Sequence, residues 1–111
     1  MSVHLSDKRC APCEGGTPAL SRDEARELST QTPHWELSDH ATHIRRSFTF
    51  DDFRSALAFV NAVGELAESE GHHPDIELGW GRVEITLTTH AVKGLSENDF
   101  ILASKIDTLP Q

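Results

Sequence analysis

Between Asp52 and Glu70 apolar residues recur on a helical period, and no other stretch constrains the fold as tightly. Phe53, Leu57, Val60, Gly64 and Ala67 fall on one stripe, which Ala56, Phe59, Val63 and Leu66 widen. A helix with so broad an apolar face should lie across an antiparallel sheet. In a chain of 111 residues it should supply most of one core. Asp51 is the expected N-cap, and Gly71 suits the left-handed position that closes the helix. Gly64 is expected to let helix and sheet approach closely, at a propensity cost of about 1 kcal/mol relative to alanine.

The flanking segments supply that sheet. Strands are expected around Trp35 (His34 to Leu37) and over His43 to Phe50, where Ile44, Phe48 and Phe50 share a face. Arg46 interrupts the apolar face, so it should lie near an edge or snorkel. Asp75 to Leu78 and Arg82 to Thr88 read as a second hairpin turned by Gly79-Trp80-Gly81, with Val83, Ile85 and Leu87 facing one way. A capping box at Ser21-Arg22-Asp23-Glu24 starts a first helix, which Pro33 stops. Ser96 to Asp99 starts a third, with Leu95 and Phe100 as a hydrophobic staple. The order helix-strand-strand-helix-strand-strand-helix gives an α+β domain: a four-stranded antiparallel sheet with three helices packed mainly on one face. Residues 20–111 form this domain, and residues 1–19 are expected to be a flexible leader.

No apolar run is long enough to span a bilayer and no signal peptide is evident, so a soluble, cytoplasmic protein is expected. A formal charge of -8 argues against nucleic acid and anionic membrane as partners. The leader holds both cysteines, Cys10 and Cys13, as C-A-P-C. That spacing can ligate zinc or exchange thiols, but no second C-x-x-C and no preceding strand accompany it, so two reduced thiols are the simplest reading. A partial metal site completed by His4 or by another subunit is the alternative.

His72 and His73 sit between Gly71 and Pro74, and the second hairpin should carry His90 back towards them. Imidazoles exchange protons near neutral pH, so three together suggest proton transfer. Pro74 favours an extended His73, which points neighbouring side chains in opposite directions and gives the two histidines different tasks. Three histidines plus water is also a catalytic zinc pattern, the rival for the same residues. Glu68, one helical turn before His72, is placed to orient an imidazole. Asp99 is the N3 residue of the third helix, and Trp35 is either a pocket wall or a core residue.

The motifs E-x-x-x-H-H-P-D (from Glu68), G-W-G-R-V-E-I-T-L-T-T-H (ending at His90) and G-L-S-E-N-D-F-I-L-A-S-K-I-D (from Gly94) together resemble the pterin-4a-carbinolamine dehydratases. The resemblance spans about Leu20 to Asp107. Many members carry two glycines before the leucine, where this chain has Lys93-Gly94-Leu95. The resemblance implies dehydration of a 4a-hydroxytetrahydropterin to the quinonoid dihydropterin in pterin recycling. In it His72 and His90 transfer protons and His73 positions the substrate. It further implies substrate contacts from Glu68, Pro74, Thr89, Asp99 and Trp35, with no cofactor and no metal. A functional link to a pterin-dependent aromatic amino-acid hydroxylase follows. A homodimer or homotetramer is expected, because helices on one sheet face leave apolar surface or a strand edge to cover. A non-enzymatic dimerisation or coactivator-type module is the alternative of a different class.

Overall fold

The computed structural model describes residues 5–11 and 18–111. Helices α1 (Arg22–Ser29), α2 (Phe53–Glu70) and α3 (Glu97–Ile106) alternate with strands β1 (Glu36–Leu37), β2 (Ile44–Thr49), β3 (Asp75–Leu78) and β4 (Arg82–Leu87) in the expected order. The strands form one sheet in the order β1-β2-β4-β3, antiparallel throughout. In β4 the alternation places Val83, Ile85 and Leu87 in the core, facing the helices together with Ile44 and Phe48 of β2. On the other face stand Arg45, Ser47, Glu84 and Thr86, so it is polar, not apolar.

The capping chemistry sets the helix starts. Ser21 accepts from the Glu24 N–H and Glu24 returns a bond to the Ser21 N–H, closing the capping box of α1. α2 begins one residue later than expected, because Asp52, not Asp51, accepts the Ser55 N–H at 2.7 Å. Gly71 closes it with φ 66°, the left-handed conformation that costs glycine least.

The rotation of α2 departs from expectation. Ala56, Phe59, Val63 and Ala67 face the sheet. Phe53 and Leu57 are 44% and 40% exposed, and a Cβ added at Gly64 would meet nothing within 4 Å. Gly64 therefore serves no close helix–sheet approach. Both flanks of α2 are apolar, and the flank with Phe59 reaches the aromatic cluster on β2, where its ring centroid lies 4.6 Å from that of Phe48.

Arg46 resolves as an edge residue. β1 pairs only with Ile44 and Arg45, so β2 has no neighbour on that side from Arg46 onwards. The guanidinium lies over the Phe48 ring at 4.4 Å and pairs with Asp107 beyond the end of α3. Trp35 donates its indole N–H to the same carboxylate at 2.9 Å.

Part of the segment expected to be a flexible leader is packed on the domain. Leu5 is 2% exposed within the core, and its N–H bonds Gln31. Lys8 pairs with Glu97 at the start of α3. His4 and Cys13 lie outside the described residues. Among the described residues, no helix is long and apolar enough to cross a membrane.

Candidate active site

The end of α2, the end of β4 and the start of α3 converge on a cleft of about 490 Å³, a size suited to a small molecule. His72, His73 and His90 all line it. The local sequence explains why. Gly71 turns the chain out of α2, and the His72 N–H bonds the Ala67 carbonyl at 3.3 Å, which fixes the first histidine against the helix end. β4 then returns alongside β3 and delivers His90 to a short 3-10 turn, His90–Val92, at the same end of the sheet. A bridge between Thr89 and Gly94 closes that turn.

His72 is the most constrained of the three. Its side chain is 11% exposed, and Nε2 lies 2.6 Å from Oδ1 of Asp99, which is fully buried. The other carboxylate oxygen of Asp99 accepts the Thr89 hydroxyl at 2.7 Å and the Ser96 N–H at 3.0 Å. Three donors converging on a carboxylate match its acceptor-only chemistry, which favours the tautomer of His72 with the proton on Nε2. Asp99 thus starts α3 and orients His72 with the same group. It is buried and does not line the cleft.

His73 takes the opposite course, as the extended backbone before Pro74 requires. Its Nε2 lies 2.8 Å from Glu68, and both side chains are exposed. Glu68 therefore orients His73 and not His72, in a surface pair of small energetic worth. Pro74 does not line the cleft; it shapes the backbone. His90 is exposed and open to the cleft. Thr89 lines the cleft, but its hydroxyl donates to Asp99 and its N–H to Gly94, so it holds the site together before any ligand arrives. Trp35 does not line the cleft: it is packed edge-on against Phe48 with its N–H held by Asp107, the core alternative of the two expected. Among the described residues, no three His, Cys, Asp or Glu side chains are grouped to hold a metal ion.

Sequence reasoning missed the rest of the lining. Cys10 and Ala11 reach the cleft from the N-terminal segment, and Asn98 from α3. The Asn98 side chain brackets Ala11, accepting its N–H at 2.9 Å and donating to its carbonyl. Glu70 accepts the Cys10 N–H at 2.8 Å and the Lys105 ammonium at 2.9 Å. The Cys10 N–H, with help from Lys105, holds the Glu70 carboxyl below the usual carboxylate range. Burial, then the Glu70 charge, pushes the Cys10 thiol up to about 12. That thiol stays protonated at neutral pH, which does not suit thiolate chemistry. One signal was available: Glu70 puts a negative charge in the last turn of α2, where the helix dipole disfavours it.

Residues 18–109 match the protein family described as Pterin 4 alpha carbinolamine dehydratase. A Rubrobacter xylanophilus protein, provisionally named a pterin-4-alpha-carbinolamine dehydratase, is 55% identical over 95% of this chain and 97% of its own. One of the same provisional name from Aromatoleum aromaticum is 51% identical over 98% of this chain and 97% of its own. Coverage of 98% carries the likeness into the N-terminal segment, which the family match leaves out. Among solved structures, a transcriptional coactivator/pterin dehydratase from Brucella melitensis superposes with TM-score 0.75 at 34% identity, over 80% of this chain and 95% of that one. A pterin dehydratase-like protein described as a RuBisCO assembly factor in the alpha-carboxysome gives TM-score 0.57 at 27% identity, over 66% of this chain and 84% of that one.

Proposed function

The chain belongs to the pterin 4 alpha carbinolamine dehydratase family, and we propose that it dehydrates a 4a-hydroxytetrahydropterin to the quinonoid dihydropterin by histidine acid–base catalysis. The C4a–O bond breaks as one imidazolium delivers a proton to the departing hydroxyl. A neutral imidazole takes the proton from N5, whose electrons form the N5=C4a double bond, and water leaves. Protons and water move and no electrons are transferred, so the reaction requires no redox cofactor. Two imidazoles in different protonation states perform both transfers near neutral pH.

The observation that carries this reading is the Asp99–His72 pair, 2.6 Å apart at the edge of a cleft that His90 also lines. A buried carboxylate that fixes the tautomer of an imidazole, leaving the second nitrogen for the reacting molecule, is the recurring device of histidine proton transfer. His90 is the second proton carrier, and His73, paired with Glu68, positions the ring. A pterin-dependent aromatic amino-acid hydroxylase would release this substrate, and the proposed role is accordingly in pterin recycling.

The solved relatives bring a second reading, since one is described as a transcriptional coactivator/pterin dehydratase and the other as an assembly factor. The enzyme reading is supported by three histidines lining one cleft, one of them bonded by a buried carboxylate, an arrangement that a binding module does not require. Self-association accompanies the enzyme reading: the exposed Phe53 and Leu57 share one flank of α2 and need cover. The direct test is rapid mixing of freshly generated 4a-hydroxytetrahydropterin with the protein. Acceleration over the spontaneous dehydration is expected. A folded protein that leaves the spontaneous rate unchanged overturns the assignment.

A further inference from the structure

The cleft has a wall that proton transfer does not use. Cys10 and Ala11 line it together with the histidines, and the segment they belong to is tied down at several independent points. Asn98 bonds both the N–H and the carbonyl of Ala11. Glu70 holds the Cys10 N–H, and the Cys10 thiol donates to the Asn98 carbonyl at 3.6 Å. Further back, Leu5 is buried in the core. These anchors come from α2, α3 and the core, and none requires a ligand.

We propose that Cys10 and Ala11 are the specificity-determining wall of this cleft, limiting the size of the substituent that a bound pterin carries at its 6-position. The proposal rests on the dehydratase reading of the same cleft. In a pterin the reacting atoms N5 and C4a are bonded neighbours, and C6 is bonded to N5. A ring whose N5 and C4a face the histidines carries its 6-substituent one bond from N5, near the residues that line the cleft beside them. Ala11 is exposed although Asn98 engages both of its backbone polar groups, so a single methyl is what it offers a ligand. With the backbone held on both sides, the size of that side chain sets the clearance. The Cys10 thiol beside it remains uncharged at neutral pH, so the wall is compact and apolar next to a cleft otherwise rich in imidazole.

The test compares Ala11→Val and Ala11→Phe with the unaltered full-length chain. Each is assayed on two 4a-hydroxytetrahydropterins, one unsubstituted at C6 and one bearing a dihydroxypropyl group there. For the substituted pterin, Ala11→Phe should raise KM by about tenfold or more, the usual scale of steric discrimination in a pocket. Ala11→Val should raise it less, and both rises should be smaller for the unsubstituted pterin. In each case kcat should stay within about threefold, as expected when only ground-state fit is lost. A variant that merely loosened the fold would not separate the two substrates. Should Ala11→Phe fail to give a native circular dichroism spectrum, the substrate-dependent KM shift in Ala11→Val decides alone. Equal KM changes for both pterins, or none, in a folded variant overturn the wall and leave the dehydratase reading standing. If the unaltered chain accelerates dehydration of neither pterin, the dehydratase reading falls, and the wall with it.

Discussion

Oδ1 of Asp99 lies 2.6 Å from Nε2 of His72 across 27 positions of sequence, joining the start of α3 to the second residue beyond α2. In the proposed mechanism the bond fixes which imidazole nitrogen carries the proton. Asp99→Asn would put an amide in its place, able to donate to Nε2 and so to favour the wrong tautomer. Its carbonyl can still accept the Ser96 N–H, so the helix start should survive. We expect kcat to fall on the order of a hundredfold or more, within the range for disabling one general acid or base. The thermal transition should be changed much less; measuring both on one preparation separates the two effects.

His72→Ala and His90→Ala should each lower kcat by roughly one to three orders of magnitude, and the double variant should be close to inactive. His73→Ala should act mainly on KM, because an exposed positioning group contributes uniform binding. Steady-state kinetics on folded variants check this, and wild-type kcat in both single variants at positions 72 and 90 would refute the mechanism.

The N-terminal segment should matter to stability, against the expectation of a dispensable leader. Leu5 fills a core position, and Leu5→Ala should cost about 2 to 4 kcal/mol, the usual cost of emptying a buried leucine site. Denaturant unfolding measures it; a change of a few tenths would return residues 5–11 to the status of a loose leader.

Glu70 predicts a pH dependence. Its folded-state carboxyl lies below the ordinary value of 4.5, chiefly because of the Cys10 N–H and then Lys105. The unfolded chain therefore binds the proton at higher pH than the folded one. The stabilisation is complete above the ordinary value and is lost as pH falls below it, through the lower folded-state value. Urea midpoints taken from neutral pH downwards should decline more steeply for the natural chain than for Glu70→Gln.

Lys93 occupies the left-handed region at φ 57°, where many relatives by resemblance carry glycine. The lysine Cβ is strained there, so Lys93→Gly should stabilise the fold by about 1 kcal/mol and raise Tm by several degrees. Differential scanning calorimetry decides the sign.

Local chemistry was readable from the chain wherever neighbours in sequence settle it. The box at Ser21 and Glu24, the left-handed Gly71 and the alternation of Val83, Ile85 and Leu87 need no distant partner. The rotation of α2 was not readable, because Phe53, Leu57 and Val60 are as apolar as Ala56, Phe59 and Val63, and only the aromatic cluster on β2 chooses between them. The histidines announced the cleft, and hairpin register brought His90 home. Asp99 at His72 and Asn98 at Ala11 are contacts across 27 and 87 positions; no periodicity encodes them.

The brevity of β1 reaches beyond the native fold. From Arg46 to Thr49 the outer rim of β2 has no strand beside it among the described residues, and unpaired strand backbone invites other chains to add on. Arg46 stands on that rim with its guanidinium turned to the core side and tethered to Asp107. An incoming strand would pack beside that charged pair. The residue that spoils the apolar pattern of β2 thus puts a charge beside the unpaired rim, a feature that disfavours edge-to-edge pairing.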